Sequence, residues 1–142
     1  MGSRINHVAV FVSAIVFYVI GWIWYDLLFG HAWMALTGHV QTSASSMTGA
    51  LAGGFLLSWF LAYVIGIALA DTTNPNPGRH GAEFGVFMGL GVFGSMLALD
   101  YLYEGRGLVL WLINAGYVVV GMAVMGAIIG AWRKKEVPAA VA

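Results

Sequence analysis

The sequence predicts an all-α protein, an integral membrane bundle of four transmembrane helices. Three observations carry this. Hydrophobic residues make up 61% of the 142 and charged residues only 8%, against about 25% charge in an ordinary soluble domain. Four uncharged runs recur, Val8–Tyr25, Met47–Ala70, Phe84–Leu99 and Gly107–Trp132, and a helix needs about 20 apolar residues to cross about 30 Å of hydrocarbon. None of the runs shows the strict alternation of a barrel strand, so helices are the way to satisfy the backbone inside lipid.

Taken in order, the spans are expected at about 5–29, 47–70, 82–104 and 107–132, in one membrane domain, with 133–142 as a tail. Only Arg4 precedes the first run, and that run outlasts the core of a signal peptide, so it reads as part of the mature protein. The connection Gly30–Ser46 is polar and rich in Ser and Thr. The second, with "TTNPNPGRH" at Thr72–His80, is a Pro/Asn/Gly breaker and reads as a loop. The third uncharged run is short and reaches membrane length only by taking in Asp100 and Tyr103, or Glu83. A tight "EGRG" turn joins it to the fourth.

Lys and Arg set the expected orientation. Arg4, Arg79, Arg133, Lys134 and Lys135 fall on one side of a four-span chain and Arg106 on the other. Both termini, the tail included, are therefore expected in the cytoplasm, in a cell inner (cytoplasmic) membrane. Trp22, Trp24, Tyr25, Trp33, Tyr101, Tyr103 and Trp111 gather at the opposite boundary, as interfacial aromatics do.

Glycine is abundant, at 20 residues. Gly81, Gly85 and Gly89 recur every fourth residue, as do Gly126 and Gly130, and Gly49 and Gly53. Small residues at this spacing make a flat helix face on which a second backbone packs closely. "GLGVFG" at Gly89–Gly94 fits the dinucleotide pattern G-x-G-x-x-G as text. The fingerprint needs a preceding strand and access to water, so this run reads as helix packing. A faint repeat links Val10, Phe11 and Tyr25 to Val86, Phe87 and Tyr101 at constant offset.

The remaining polar groups form one candidate cap at the outer end. Asp100 and Glu104 are four apart and share a helix face. Asn114 lies at a depth similar to Asp100 on the next helix, so an Asp100–Asn114 hydrogen bond is expected. Asp26 ends the first helix on the same side, Arg106 is in reach of Glu104 or Asp26, and Tyr101 and Tyr117 supply hydroxyls. Ionisable groups at membrane depth are candidate ligand, ion or proton sites; the competing reading is a structural network.

Chemistry beyond that is sparse. The chain has no cysteine, which removes disulfides and thiol catalysis. His31 and His39 lack the i, i+4 spacing of metal ligands. Ser43, Ser45 and Ser46 have no elbow motif and no positioned base. No metal and no cofactor is expected. The zero formal net charge gives no field to attract nucleic acid. The expected partners are the lipid bilayer and further membrane protein, as a homo-oligomer or within a larger complex. The activity class that fits is a non-enzymatic packing, assembly or accessory subunit; the alternative is a small transporter or channel with an ionisable site near Asp100.

Two motifs carry a family resemblance: "WY-x-x-LFG-x-x-W" at Trp24–Trp33, and "YEGR…NAGY…MGAIIGAW" at Tyr103–Trp132. With the intervening apolar hairpin, the chain resembles the small bacterial four-helix membrane proteins of Domain of Unknown Function 1761. The resemblance implies an intact four-span unit and supplies no reaction. The family pattern has Asp where this chain has Asn114, and often His where it has Val118. The resemblance therefore implies that any Asp–His chemistry in relatives is absent here and that Asn114 serves packing.

Overall fold

A computed structural model describes residues 5–39 and 44–134. Helix α1 (His7–Trp22) runs without a break into a π-helical turn at Ile23–Leu28. A short helix α2 (Gly30–Thr37) follows, then α3 (Ala44–Leu69). The third span is a continuous helix in three parts: α4 (Pro77–Val86), a π-helical stretch at Phe87–Gly94, and α5 (Ser95–Glu104). Helix α6 (Leu108–Ala131) ends the described chain. Four helices are long and apolar enough to cross a membrane: His7–Leu28, Ser46–Leu69, Pro77–Glu104 and Leu108–Ala131. The protein is an all-α, four-helix membrane bundle. The residues after Lys134, together with Arg4 and Ser43, lie outside the described residues.

Local chemistry explains the helix ends. The Asn6 side chain accepts hydrogen bonds from the backbone N–H of Val8 and Ala9 at 3.1 and 3.3 Å, the N-cap arrangement that satisfies first-turn donors. Helix α4 opens on Pro77, where a missing N–H costs nothing and φ is already helical. The third helix thus starts inside the stretch that reads as a loop. At 28 residues it is about 42 Å long, more than the hydrocarbon thickness, so its charged ends reach the interface. Gly105 closes α5 at φ 68°, a left-handed cap that glycine adopts without strain. Helix α2 lies where the sequence suggests only a polar connection; Gly38, at φ 65°, ends it in the same way.

Helix α6 is the axis of the bundle and packs on α1, α3 and α4. Its closest neighbour is α4, and glycine makes that possible. A Cβ added to Gly81 would stand 2.0 Å from the Gly126 carbonyl oxygen, and one on Gly85 would stand 2.1 Å from that of Met122. At Gly89 the nearest atom is Val119 Cα at 2.9 Å, and at Gly130 it is the Pro77 carbonyl oxygen at 2.1 Å. Backbone therefore meets backbone along the whole α4–α6 seam, and dispersion acts at close range. Gly49 and Gly53 on α3 differ: nothing lies within 4 Å of a Cβ at either.

The apolar core occupies the half of the bundle nearest the chain ends. Val10 and Ala14 of α1, Ile65 and Leu69 of α3, and Met122 and Met125 of α6 are buried there. Two bonds tie this end together. The Asn6 amide donates to the Trp132 carbonyl at 2.7 Å, and the Arg133 guanidinium donates to the Thr72 carbonyl. The start of the first span and the end of the fourth are thus at the same end of the molecule. We call this the termini end, and the opposite one, with the Glu104–Gly107 turn, the turn end.

Candidate functional site: a tyrosine–asparagine network

Toward the turn end aromatic rings from the first span and α6 pack together, and Leu110 and Ile113 of α6 are buried in the same half. Small residues seat the rings. Gly121 faces the Phe17 ring, Gly21 faces the Tyr117 hydroxyl, and Gly116 faces the Trp24 ring. Tyr117 packs between Phe17 and Tyr25, with ring centroids 5.0 and 5.2 Å away. Trp33 of α2 closes the top, edge-on to Tyr25 at 5.8 Å.

Asn114 lies at the centre. Tyr25 donates its hydroxyl proton to Asn114 Oδ1 at 2.7 Å, and Asn114 Nδ2 donates to the Tyr101 hydroxyl at 2.5 Å. One amide therefore joins three spans, using its acceptor on the first and a donor on the third. Two indoles complete the polar set. Trp24 Nε1 donates to the Ile113 carbonyl, and Trp111 Nε1 donates to the Gly94 carbonyl, each at 2.9 Å. Gly94 ends the π-helical stretch. The Tyr117 hydroxyl makes a longer contact, 3.4 Å, to the Phe17 carbonyl.

The expected Asp100–Asn114 pair does not form. Asp100 is exposed, and Asn114 is engaged by its tyrosine neighbours. The reason is a register shift. Counting on from Gly89 through three α-helical turns, about 11 residues, brings Asp100 onto the face that meets α6. The π-helical stretch at Phe87–Gly94 interrupts that count, because each i→i+5 bond spans one residue more than the α-helical bond. The Ser95 N–H donating to the Leu90 carbonyl is such a bond. After it the inward positions are Gly94, Leu97, Ala98 and Tyr101, while Phe93, Met96 and Asp100 are exposed. Tyr101 takes the inward place and Asp100 turns out.

The other charges lie at the rim. Arg106 pairs through Nε with Glu104, not with Asp26, and its guanidinium carbon stands 5.6 Å from the centre of the Tyr101 ring. Asp26 is exposed on the π turn of the first span. The cap that the sequence groups together is therefore two layers: an inner layer of neutral hydrogen bonds and an outer layer of charge. Sequence reasoning missed the two indole donors as members of the network. The signal was present, since Trp24 and Trp111 both fall within apolar spans rather than in the connections, but it reads equally as interfacial anchoring.

Among the described residues no three His, Asp or Glu side chains converge to hold a metal ion. At the termini end, His7 Nδ1 and the Tyr63 hydroxyl share a hydrogen bond of 2.8 Å, and Arg79 pairs with Glu83 at 2.8 Å in full view of solvent.

No curated protein and no solved structure matches the chain. A family model, described as "Protein of unknown function (DUF1761)", matches residues 8–130. That match takes in all four spans but for His7 and Ala131 at their ends, with the "GLGVFG" stretch and every member of the tyrosine–asparagine network, and the chain belongs to the DUF1761 family.

Proposed function

We propose that this chain is a non-enzymatic subunit of a bacterial inner membrane, with both termini cytoplasmic, that associates with a second copy or a larger membrane complex. The observation that carries the reading is the contrast between two glycine faces. On α4 the glycines are closed against α6, while Gly49 and Gly53 of α3 meet nothing within 4 Å. Glycine in a helix interior costs roughly 0.5–1 kcal/mol against alanine, and a close helix contact repays that cost. The same turn-end half of α3 also exposes Leu51, Leu56 and Leu57. The network supports a structural role as well, because its hydroxyls and amide are held by one another and no nucleophile faces a base in it.

Native mass spectrometry after extraction in a mild detergent tests this. The expected result is a dimer or larger assembly that a Gly49→Leu, Gly53→Leu double variant converts to folded monomer. A monomeric wild type under these conditions, without co-purifying protein, refutes it.

One observation favours the second reading, a transporter or channel. Asp100 is a carboxylate on a membrane-spanning helix, turned away from its own bundle. Carboxylates at such positions are costly unless they meet water or a partner. An ion path would then run between copies of the chain, past Asp100, and would fail in Asp100→Asn while assembly survived.

A further inference from the structure

The turn end holds a charge pair with no role in the network and two hollows that meet at it. The first is an open cleft of about 580 Å³ between α2 and the α5–α6 turn, lined by Leu36, Thr37, Glu104, Arg106 and Leu110 among others. The second is a groove of about 270 Å³ between α5 and α6, walled by Ala98, Leu102, Leu108 and Trp111. Arg106 and Gly107 line both, so polar cleft and apolar groove adjoin at the turn.

The geometry points to a binding site for one phospholipid with a phosphate and a primary ammonium in its headgroup, the headgroup in the cleft and part of one acyl chain in the groove. Three features of this chain select that ligand. First, Arg106 gives only its Nε edge to Glu104. The two Nη groups carry four more donors, arranged as a fork that matches phosphate oxygens. Second, Glu104 is less than half exposed and stands beside Arg106, so an ammonium two carbons from the phosphate ester oxygen meets a carboxylate. A headgroup with both charges satisfies both residues; a purely anionic one meets repulsion from Glu104. Third, the wall of the groove is apolar and leads away from the charges along both helices, in the direction an acyl chain takes from an interface.

Placement supports the same ligand. Among the described residues Arg79, Arg133 and Lys134 are at the termini end, and Arg106 is the basic residue of the turn end. The turn joins the ends of two spans, which is headgroup level. The Arg106 guanidinium also packs toward the Tyr101 ring, which fixes it at the junction of cleft and groove. The cleft volume lies within the range of small-molecule sites, about 300–1,000 Å³.

The test uses the full chain in mild detergent, with defined lipids added one at a time and counted by native mass spectrometry. The lipids are dioleoyl phosphatidylethanolamine, phosphatidylcholine and phosphatidylglycerol; the chain-free probes are glycerophosphoethanolamine and inorganic phosphate. One phosphatidylethanolamine per chain is expected, held about tenfold more tightly than phosphatidylcholine, whose quaternary ammonium cannot donate to Glu104. Arg106→Gln should weaken retention of phosphatidylethanolamine about tenfold. Glu104→Gln should remove the preference for it over phosphatidylglycerol. Ala98→Phe, which fills the groove and leaves the charges, should lower retention of the lipid but not binding of glycerophosphoethanolamine. Arg79→Gln, in the exposed pair at the termini end, should change nothing. The assignment is overturned if the three lipids are retained equally, if Arg106→Gln matches wild type, or if inorganic phosphate displaces the lipid at equal concentration.

Discussion

Alanine at Gly85 and alanine at Gly53 are the same chemical change on two membrane helices, and the structure predicts opposite outcomes. At Gly85 the new Cβ would stand 2.1 Å from the Met122 carbonyl oxygen and 2.8 Å from Ala123 Cα. Both are backbone atoms, so no side chain can rotate away. Restoring the shortest separation that real Cβ atoms show, 3.0 Å, requires about 0.9 Å of local opening between α4 and α6. A gap of 0.5–1 Å forfeits roughly a quarter to a half of each dispersion contact. For about 40 facing atom pairs at ~0.15 kcal/mol each, the loss is about 1.5–3 kcal/mol, in line with the 1–3 kcal/mol typical of overpacking. At Gly53 nothing in the same chain lies within 4 Å, so in the dissociated monomer alanine gains up to about 1 kcal/mol of helix propensity over glycine. The two variants should therefore differ by about 3 kcal/mol. Equilibrium unfolding in mixed micelles of rising SDS fraction, followed by tryptophan fluorescence, measures this. Stability of Gly85→Ala within about 0.5 kcal/mol of Gly53→Ala would mean that the α4–α6 seam is not the close backbone contact described above.

Three further outcomes are expected. Asn114→Leu strands the Tyr25 and Tyr101 hydroxyls and should cost about 2–6 kcal/mol, at roughly 1–3 kcal/mol for each unsatisfied group; adding Tyr25→Phe and Tyr101→Phe should restore much of it in the same unfolding assay. Asp100→Leu should move stability by less than about 0.5 kcal/mol, since the carboxylate faces outward, and a loss as large as that of Asn114→Leu would place Asp100 inside the network after all. The chain has no native cysteine, so single cysteines at His39 and Asn76 report topology: an impermeant maleimide should label position 39 in intact cells and position 76 only after permeabilisation, and the reverse order would invert the orientation.

The four spans were legible because lipid imposes one strong demand, long uncharged runs, and the sequence shows it four times. The glycines at 81, 85 and 89 were legible as a face for the same reason that any i, i+4 pattern is. Which side chains that face brings inward was legible only as far as the helix stays α-helical. The run Gly89–Gly94 reads as more packing surface, and nothing in its composition separates an α turn from a π turn. The structure makes it the point where the register slips by one. That single residue exchanges Asp100 for Tyr101, and with it turns an expected carboxylate–amide pair into a tyrosine–amide pair. Helix α2 was hidden for a different reason. Eight residues, Gly30–Thr37, are too few for hydrophobic periodicity to stand out, and their helix is held by Trp33 packing on Tyr25, a contact distant from any local signal.

The register slip also explains why the turn end is layered. With Asp100 inward, the space between α1, α5 and α6 would hold a carboxylate against a tyrosine and an amide, and a buried charge without a cation is far costlier than a neutral hydrogen bond. Turning it outward leaves only neutral donors and acceptors inside, where each is paired: Tyr25 to Asn114, Asn114 to Tyr101, Trp24 to Ile113, Trp111 to Gly94. The faint repeat gains a physical meaning from this. Tyr25 and Tyr101, equivalent at its constant offset, are the two residues whose hydroxyls meet the two ends of one amide. The first and third spans thus present the same side chain to α6 from two sides. The π-helical stretch is what lets the third span do so, because a plain α-helix through the same residues would turn Tyr101 away and bring Asp100 in. Glu104 and Arg106 then remain paired at the rim, and Asp100 faces outward. Deleting Val92, an exposed residue of the Gly89–Gly94 run, removes the one residue that the wider turns absorb. The run should become α-helical, with Tyr101 then eleven residues from Gly89 and still inward, so the deletion should cost less than Tyr101→Phe, which removes a paired hydroxyl. If the deletion costs as much as Asn114→Leu, the π-helical stretch does not set the register, and the division between neutral interior and charged rim has another cause.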